Sequence, residues 1–456
     1  MRRQLICWSA AGVVLICAAG MVLTAGAGGV PRGTSWARIS GGATPATAPG
    51  GQLGLARSAD GTLHVIWNRG GGASPTTIFD TRISSAGTIG KTTTVASGWA
   101  GNGGLALLVM PDKTLRLFAA GMASSHAASG GLNMLTAPSS GNTWTVVPNA
   151  TWGGATANAA AYAGATFTNT GEIVTSWPSY FHVGLDPQAA DSLIHPDMAS
   201  SPLVTDHATG AVVIAGITIA GKGGTFVRQL LPHPGPSLLL PSAGNERSSG
   251  LAARLAAPGV YIAYATLNGQ AVQLLRYGGI TKTVARGTAF NTAKVFAGPR
   301  GRLWVAWGAF RGTEIFVTRS NEAVTAFEPV QTLTLPDPST NQGVSALQGE
   351  GSTGPLDLFA DMTIGSEAGF MHTHVLALFS LRAAVGRPAK GQKKAPVQLS
   401  LRDAGDPVAA ATIVVAGKHL KTNEKGVATL ALAPGSYTAS ASASGYATTS
   451  ASVTVR

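Results

Sequence analysis

Two groups of polar side chains in this 456-residue sequence have types and spacings that could bind a ligand or a metal ion. One group lies in the irregular stretch at 178–200 and comprises His182, Asp186, Asp191, His195 and Asp197. Long loops on a rigid scaffold often carry binding residues. We therefore take ligand or ion contact as one interpretation of this stretch, and an ordinary surface loop as the other.

The second group is the segment His372-Thr373-His374, in which two imidazoles separated by one residue share a face of a strand. Two histidines form half of a zinc-type site, and Asp361 is the candidate third ligand. Because a histidine pair on a strand is more often incidental, the prediction for this chain is no bound metal and no cofactor.

No motif in the sequence assigns a catalytic residue. A Walker-type phosphate loop is absent, and the glycines fall in turns between short strands. Both cysteines, Cys7 and Cys17, lie in the N-terminal apolar segment, so the remaining sequence has no thiol for a disulfide or a nucleophile. We predict a protein that is not an enzyme and keep enzymatic activity as the alternative.

The N-terminus has the three parts of an export signal. A basic pair at residues 2–3 precedes an apolar run from Leu5 to Leu23, and small residues follow at 25–27. We predict a signal peptide over 1–27 and a mature chain that is secreted, extracellular or associated with the cell envelope. The length of the apolar run leaves an uncleaved membrane anchor as the alternative.

The composition is that of a sheet-rich globular chain. Glycine accounts for 60 residues, 45% of positions are hydrophobic and 11% are charged. Such a chain can offset its ordering entropy by burial, and its Gly, Thr and Ser content favours short strands joined by tight turns. The net charge of +12 does not form a basic face interleaved with aromatics, so we predict no nucleic-acid partner.

Half of that net charge lies at the C-terminal end. Residues 386–456 contain 9 Lys and Arg against 3 Asp and Glu, a balance of +6. The stretch 386–396 is basic, polar and contains two prolines. We interpret it as a solvated linker between domains that could also touch an anionic cell-wall surface.

One pattern recurs over 45–385, namely a small-residue turn followed by a short alternating strand. Its clearest copies are 60–67, 170–177 and 300–307, and successive copies are separated by roughly 40 to 50 residues. This period, made of strands alone, predicts an all-β propeller of seven four-stranded blades. Six blades is the alternative if the stretch at 178–200 hides a distorted unit.

Aromatic residues often end the recurring strand. They are Trp67, Trp177, Tyr264 and Trp307. A large ring at the end of a buried strand usually packs against neighbouring elements, so we predict packing between blades rather than a sugar-binding ring.

The frames at 60–67 and 301–307 resemble blades of sialidase-type (neuraminidase-like) propellers. Residues 141–144, Gly-Asn-Thr-Trp, resemble the end of the Asp-box turn of that superfamily, with Ser139 at the place of its aspartate. Active members of the family clamp a substrate carboxylate with three arginines beside a Tyr–Glu pair and an aspartate. Because the Arg-Ile-Pro signature is absent here, no catalytic residue is carried over.

The last section, 397–456, alternates apolar and polar residues between tight turns. It resembles the carboxypeptidase regulatory-like (transthyretin-like) family at 405–408, 411–414, 422–426, 432–437 and 445–446. The resemblance implies a small Ig-like or transthyretin-like β-sandwich that is not catalytic and serves as a spacer or adhesive unit.

The predicted function is a secreted or cell-surface, non-enzymatic binding or adhesion protein with an accessory β-sandwich spacer. The alternative is an extracellular carbohydrate-active enzyme, either a sialidase-like glycoside hydrolase or a polysaccharide lyase. The predicted partner is an extracellular glycan, a cell-wall polymer or a protein, and the chain is predicted to be a monomer. Two carboxylates facing each other across a basic pocket at the centre of the propeller would favour the enzyme.

Overall fold

The computed structural model describes residues 36–39, 52–69, 75–99, 103–121, 131–152, 162–194, 202–218, 224–240, 250–309, 312–336, 344–364 and 367–456. Within these ranges all regular structure is β-strand, apart from one 3-10 turn at Pro299–Gly301. No helix in this part of the chain is long and apolar enough to span a membrane. The signal peptide predicted for 1–27 lies outside the described residues.

The described strands form nine four-stranded antiparallel sheets, of which seven precede residue 376. Strand β1 (Ala37–Arg38) comes first in the chain and joins sheet 7. Sheet 1 contains β2 (Gly54–Arg57), β3 (Leu63–Arg69), β4 (Thr76–Ile83) and β5 (Ile89–Trp99). Sheet 2 contains β6 (Leu105–Val109), β7 (Leu115–Gly121), β8 (Gly131–Ala137) and β9 (Thr145–Trp152). Sheet 3 contains β10 (Gly164–Phe167), β11 (Ile173–Trp177), β12 (Tyr180–Val183) and β13 (Ser192–Leu193).

The next four sheets repeat this order. Sheet 4 contains β14 (Leu203–Asp206), β15 (Ala211–Thr218), β16 (Gly224–Leu231) and β17 (Leu238–Leu240). Sheet 5 contains β18 (Gly250–Ala253), β19 (Val260–Ala265), β20 (Ala271–Arg276) and β21 (Thr281–Arg286). Sheet 6 contains β22 (Phe290–Ala297), β23 (Leu303–Ala309), β24 (Glu314–Arg319) and β25 (Gln331–Thr334). Sheet 7 combines β26 (Val344–Glu350), β27 (Leu356–Ile364) and β28 (Glu367–Val375) with β1.

The first strands of sheets 1 to 7 form a closed ring. Each contacts the first strand of the next sheet, and β26 of sheet 7 contacts β2 of sheet 1. Closure of this kind covers the inner edge of every sheet, which would otherwise expose unpaired backbone groups. The predicted all-β, propeller-type fold is confirmed, and the described residues supply seven sheets to the ring.

Sheet 7 takes its outermost strand from the beginning of the described chain. Ala37 pairs with His372 and Arg38 with Met371. This strand lies before residue 45, where we predicted the propeller to begin. A two-residue strand has no periodicity of its own, and its partner is more than three hundred residues away, so the repeat pattern could not reveal it.

Local turn chemistry explains why the recurring pattern gives strand pairs. The Asp60 carboxylate accepts a hydrogen bond from the Thr62 backbone N–H at 2.9 Å, and Gly61 between them has φ 87°. The same turn recurs where Asp112 accepts from the Thr114 N–H at 2.9 Å. An aspartate that closes its own turn fixes the hairpin, and glycine occupies the left-handed position without steric cost.

The aromatic residues at the strand ends pack between neighbouring sheets, as predicted. Trp67 of sheet 1 lies in one cluster with Phe359 and Phe370 of sheet 7, and its ring stacks on Phe79 with centroids 4.5 Å apart. Trp177 of sheet 3 packs against residues of sheet 2. Burying each such ring stabilises the fold by about 1.5–3 kcal/mol.

Two further sheets follow residue 376 and form the predicted β-sandwich. Sheet 8 contains β29 (Ser380–Val385), β30 (Ala395–Asp403), β31 (Asp406–Pro407) and β34 (Val427–Leu432). Sheet 9 contains β33 (Lys418–Lys421), β32 (Thr412–Val415), β35 (Gly435–Ser442) and β36 (Thr449–Val455). Alternate residues of β30, which are Val397, Leu399 and Leu401, are fully buried between the sheets.

The position of the sandwich boundary differs from our prediction. Strand β29 pairs with β30 along its whole length, with Ser380 opposite Arg402 and Val385 opposite Val397. Of the stretch predicted as an interdomain linker at 386–396, residues 386–394 therefore connect two strands of one hairpin and the last two residues open β30, so β29 belongs to the sandwich rather than to the propeller. Sequence reasoning placed the break at the polar, proline-containing stretch because β29 alternates like the strands before it.

Candidate functional site

The first predicted group of site residues is only partly brought together. His182 lies in β12 with its side chain fully buried, and its Nδ1 is 3.1 Å from Asp191 Oδ1. Asp186 accepts a hydrogen bond from the Gln188 backbone N–H at 2.9 Å, which closes a turn. His195 and Asp197 lie outside the described residues. A binding role for this loop stays a prediction.

The second group converges on a different carboxylate from the one we expected. His372 Nε2 and His374 Nδ1 each lie 2.9 Å from Oδ1 of Asp357. Asp361 lies four residues further along the same strand, about 13 Å away at the usual strand rise. In the part of the chain that the structure describes, no three His, Cys, Asp or Glu residues are placed to hold a metal ion.

Asp357 also links sheet 7 to sheet 1. Arg57 of β2 contacts Asp357 Oδ2 through Nη2, and its Nε lies 2.6 Å from Glu350 Oε2. Burial raises the pKa of the Asp357 carboxyl, but hydrogen bonds from His372 and His374 outweigh that effect and hold this pKa well below its usual range. The cluster is therefore an ionised contact across the closing seam of the ring.

A central channel of about 240 Å³ runs between the first strands of the seven sheets. Its two glutamines join the inner segments of different sheets, Gln52 linking sheet 1 to sheet 3 and Gln348 linking sheet 7 to sheet 1. Gln52 exchanges two hydrogen bonds with the Ala163 backbone, at 2.6 and 2.7 Å, and Gln348 accepts from the Leu53 N–H at 2.8 Å. The single charged side chain among the described residues that line this channel is Lys294.

The pair of carboxylates that would favour a glycoside hydrolase is therefore not seen among the described lining residues of the channel. Such enzymes place two carboxyl groups on either side of the scissile bond. The remaining lining residues are predominantly Leu, Ala and Gly.

The most extensive charged cluster lies where the sandwich meets sheet 6. Arg319 donates to Asp403 Oδ2 at 2.8 Å and to Glu328 Oε1 at 3.2 Å. Arg302 lies 3.2 Å from Asp403 Oδ2 and 2.8 Å from Asp406 Oδ2. Both arginine side chains are at most 2% exposed. We call these five residues the junction network.

Aromatic rings and backbone groups enclose the junction network. The Arg319 guanidinium lies 5.1 Å from the ring centroid of Trp304 and 4.9 Å from that of Tyr446. Tyr446 donates its hydroxyl proton to Asp403 Oδ2 at 2.8 Å. The backbone of Ala377 bonds to Gly445 and Ala447 on either side of Tyr446. The sandwich is thus held by charge pairs, cation–π contacts and main-chain hydrogen bonds together.

Burial favours the protonated form of Glu328 in the junction network. Burial raises the pKa of Glu328 to about 9, against the opposing effect of the Arg319 charge, and a hydrogen bond with Asp403 adds to the rise. Asp403 Oδ1 has no hydrogen-bond partner in the described structure, so it could accept the proton of a protonated Glu328. The charges then balance, with two guanidinium groups against two aspartates.

We expect the contribution of Glu328 to stability to fall as the pH rises from about 4.5 to about 9, and expect Glu328→Gln to reduce that fall. The folded-state pKa of Glu328 lies above its ordinary value, so the bound proton stabilises the fold fully below about pH 4.5, and this stabilisation is lost as the pH rises through about 9. Glutamine keeps the neutral form at every pH. Thermal unfolding of both proteins from about pH 6 to about pH 10 measures the difference. If the stability of both proteins declined equally with rising pH, the decline would not come from the titration of Glu328.

Sequence reasoning did not identify the junction network. Arg319 ends β24, whose residues 315–317 are apolar. A charged residue at the end of such a strand is the sequence signal that could have pointed to the junction network. In the sequence, Asp406 is only one residue of the stretch 405–408 that carries the family resemblance. Nothing in the sequence shows that these two regions, more than eighty residues apart, meet each other.

A cleft of about 570 Å³ lies beside the junction network. Arg300 of the propeller lines one side of it, and Thr412, Lys421 and Ser442 of the sandwich line the other. Boundaries between domains are common places for ligand sites. Both domains therefore contribute lining residues to this cleft.

Comparisons with known proteins give only remote likenesses. No protein-family model matches the sequence, and a search of curated proteins finds no match. A protein of unknown function from Dyadobacter fermentans DSM 18053 is 9% identical, with 74% of this chain and 98% of that chain covered and a TM-score of 0.42. The polysaccharide lyase Uly1 is 11% identical over 75% of this chain and 93% of its own, with a TM-score of 0.41.

A third solved structure is the extracellular domain of a two component system, BT4673, from B. thetaiotaomicron. It is 10% identical, and the alignment covers 89% of this chain but 57% of that one, with a TM-score of 0.39. Because the likenesses are remote, we transfer no property of these proteins to this chain. The two family resemblances noted in the sequence stay interpretations.

Proposed function

We propose that this protein is a non-enzymatic extracellular binding protein in which the propeller and the sandwich act as one body. The observation that carries the proposal is the junction network. Two buried arginines of the propeller pair with two aspartates of the sandwich, and Tyr446 closes the contact. A sandwich that served only as a tether would need no fixed orientation relative to the propeller.

The energetics of buried charge support a fixed orientation. Removing paired charges from water costs several kcal/mol per ion, and their attraction recovers this only when the geometry satisfies most polar groups. Such a contact therefore tolerates few relative positions of its two sides. A fixed position places the cleft residues of both domains side by side, which is the arrangement that one ligand bound by both domains requires.

The central channel supports binding over catalysis in the part that the structure describes. Gln52 and Gln348 are occupied in holding the innermost strands together, so they are not free to orient a substrate. The buried charge clusters at Asp357 and Asp403 are likewise occupied by their own partners. Among the described residues that line the channel, no pair of carboxylates supports the alternative of a glycoside hydrolase or a lyase.

The test is to measure binding and turnover on the same samples. The purified protein is mixed with bacterial cell-wall sacculi and with insoluble polysaccharides, and the pellet and supernatant are analysed. We expect the protein to sediment with at least one of these materials while the supernatant gains neither reducing ends nor unsaturated sugars. Release of either product would replace the binding proposal by the enzyme alternative, and sedimentation with none of the materials would remove its main support.

A further inference from the structure

The far end of the sandwich carries an unusual concentration of positive charge. The connection between β29 and β30, residues 386–394, contains Arg387, Lys390, Lys393 and Lys394 in nine positions, and all of these side chains are exposed. No acidic residue lies in this connection or in β29. No described hydrogen bond or ion pair engages these four side chains, so their charges face solvent. We call this connection the basic hairpin tip.

The basic hairpin tip lies at the end of the sandwich opposite the propeller. Strand β30 begins beside the tip at Ala395 and ends at Asp403 in the junction network. Eight steps along an extended strand span about 27 Å. The tip is therefore separated from the junction by nearly the whole length of the sandwich.

All acidic residues of the sandwich lie at its other end. Residues 380–456 contain three, namely Asp403, Asp406 and Glu424. The propeller arginines pair with the first two, and Glu424 lies in the turn whose Gly426 bonds to Leu401 near the junction. This separation of charge leaves the distal end rich in positive side chains, because no acidic side chain there weakens the field of the lysines.

The shape and chemistry of the tip indicate an extended anionic partner. Lysine ammonium groups are compact point charges, and exposed ones each contribute little, so useful affinity needs several anionic groups presented together. The tip is a convex turn and not a pocket that could enclose a small anion. It contains no aromatic residue on which nucleic-acid bases could stack and no large apolar residue that could enter a membrane.

We propose that the basic hairpin tip binds a linear polymer of repeating carboxylate or phosphodiester groups, such as an acidic polysaccharide or a polyol phosphate chain. This inference rests on the proposed function, since it names the chemistry of one ligand of an extracellular binding protein. The rigid junction holds the propeller at a fixed distance from the polymer that the tip contacts. Binding here is electrostatic and falls as salt screens the charges.

The experiment compares two triple variants of the full chain that lose the same net charge. The test variant is Lys390→Gln with Lys393→Gln and Lys394→Gln. The control is Lys91→Gln with Lys113→Gln and Lys425→Gln, which removes two exposed lysines of the propeller and one at the junction end of the sandwich. Affinity is measured for polygalacturonate, poly(glycerol phosphate), neutral dextran and duplex DNA at low and high salt.

We expect the unaltered protein to bind one or both acidic polymers, not dextran, and to lose affinity in high salt. Polygalacturonate and poly(glycerol phosphate) distinguish a carboxylate from a phosphodiester ligand. The test variant should bind the acidic polymer roughly ten-fold more weakly than the unaltered protein, while the affinity of the control variant should stay within roughly two-fold of it. An unchanged unfolding temperature shows that the test variant is folded.

Equal losses of polymer affinity in the test and control variants would overturn the inference, because net charge and not the tip would then govern binding. Failure of the unaltered protein to bind either acidic polymer would also overturn it, as would DNA binding as tight as polymer binding. If the lysines only keep strand edges from pairing with other molecules, the test variant will self-associate without losing affinity for the polymer. None of these outcomes decides the proposed function, which is judged by sedimentation and turnover.

Discussion

Replacing Arg319 with alanine is expected to lower the free energy of unfolding by about 3–5 kcal/mol. The arginine side chain is 2% exposed and contacts Asp403, Glu328, Trp304 and Tyr446. Its removal leaves a carboxylate buried in the junction network with one guanidinium fewer to balance it. The lost cation–π contacts add to the cost.

Urea or thermal unfolding of the Arg319→Ala protein tests this expectation. A chain of two domains need not unfold in one step, so the sandwich is expected to melt in a separate, earlier transition once its attachment is weakened. The matched control is Arg276→Ala, at an exposed arginine of sheet 5, which should change stability by less than about 0.5 kcal/mol. A change below about 1 kcal/mol for Arg319→Ala would show that the junction network does not hold the domains together.

A double-mutant cycle separates the ion pair from the other contacts of Arg319. Asp403→Ala alone leaves two arginines buried with too little negative charge. The combined Arg319→Ala and Asp403→Ala protein removes one charge of each sign, so its loss of stability should be smaller than the sum of the single losses. Additive losses would mean that the two side chains do not depend on each other.

The fold was largely predictable from the sequence because its signals are local. A turn such as that at Asp60 closes its own hairpin, and the strand after it alternates regularly enough to reveal the propeller-type repeat. The alternation of Val397, Leu399 and Leu401 likewise marked the sandwich correctly. Each of these signals depends on residues only a few positions apart.

The features that the sequence did not reveal depend on long-range register. Strand β1 is recognisable only by its pairing with His372 and Met371. Asp357, and not Asp361, meets the two histidines because strand pairing sets Asp357 opposite His374. The junction network joins residues of sheet 6 to residues of the sandwich, and local periodicity carries no information about which domain surfaces meet.

Loss of the contact across the closing seam of the propeller is the second large effect that we expect. Arg57 of sheet 1 holds Glu350 and Asp357 of sheet 7, and all three side chains are at least four-fifths buried. Arg57→Ala should therefore lower the free energy of unfolding by about 3–5 kcal/mol, because two carboxylates remain at the seam without their guanidinium. Arg286→Ala, at an exposed position of sheet 5, is the control.

The contribution of Asp357 to the seam should also make the stability of the protein depend on pH. The pKa of Asp357 is held well below its usual range in the folded protein, so its charged form stabilises the fold above the unfolded-state pKa, and this contribution disappears as the pH falls through the folded-state pKa. Asp357→Asn removes the titrating group and should flatten the acid side of the stability profile while lowering stability at neutral pH.

Unfolding measured from neutral pH down to about pH 2 for the unaltered protein, Arg57→Ala and Asp357→Asn provides the comparison. If the seam depends on ionised Asp357, the difference in stability between the unaltered protein and Asp357→Asn stays constant down to about pH 4 and narrows as the pH falls further. A difference that stays constant below about pH 4 as well would mean that packing of the neighbouring sheets, and not the charge contact, closes the ring.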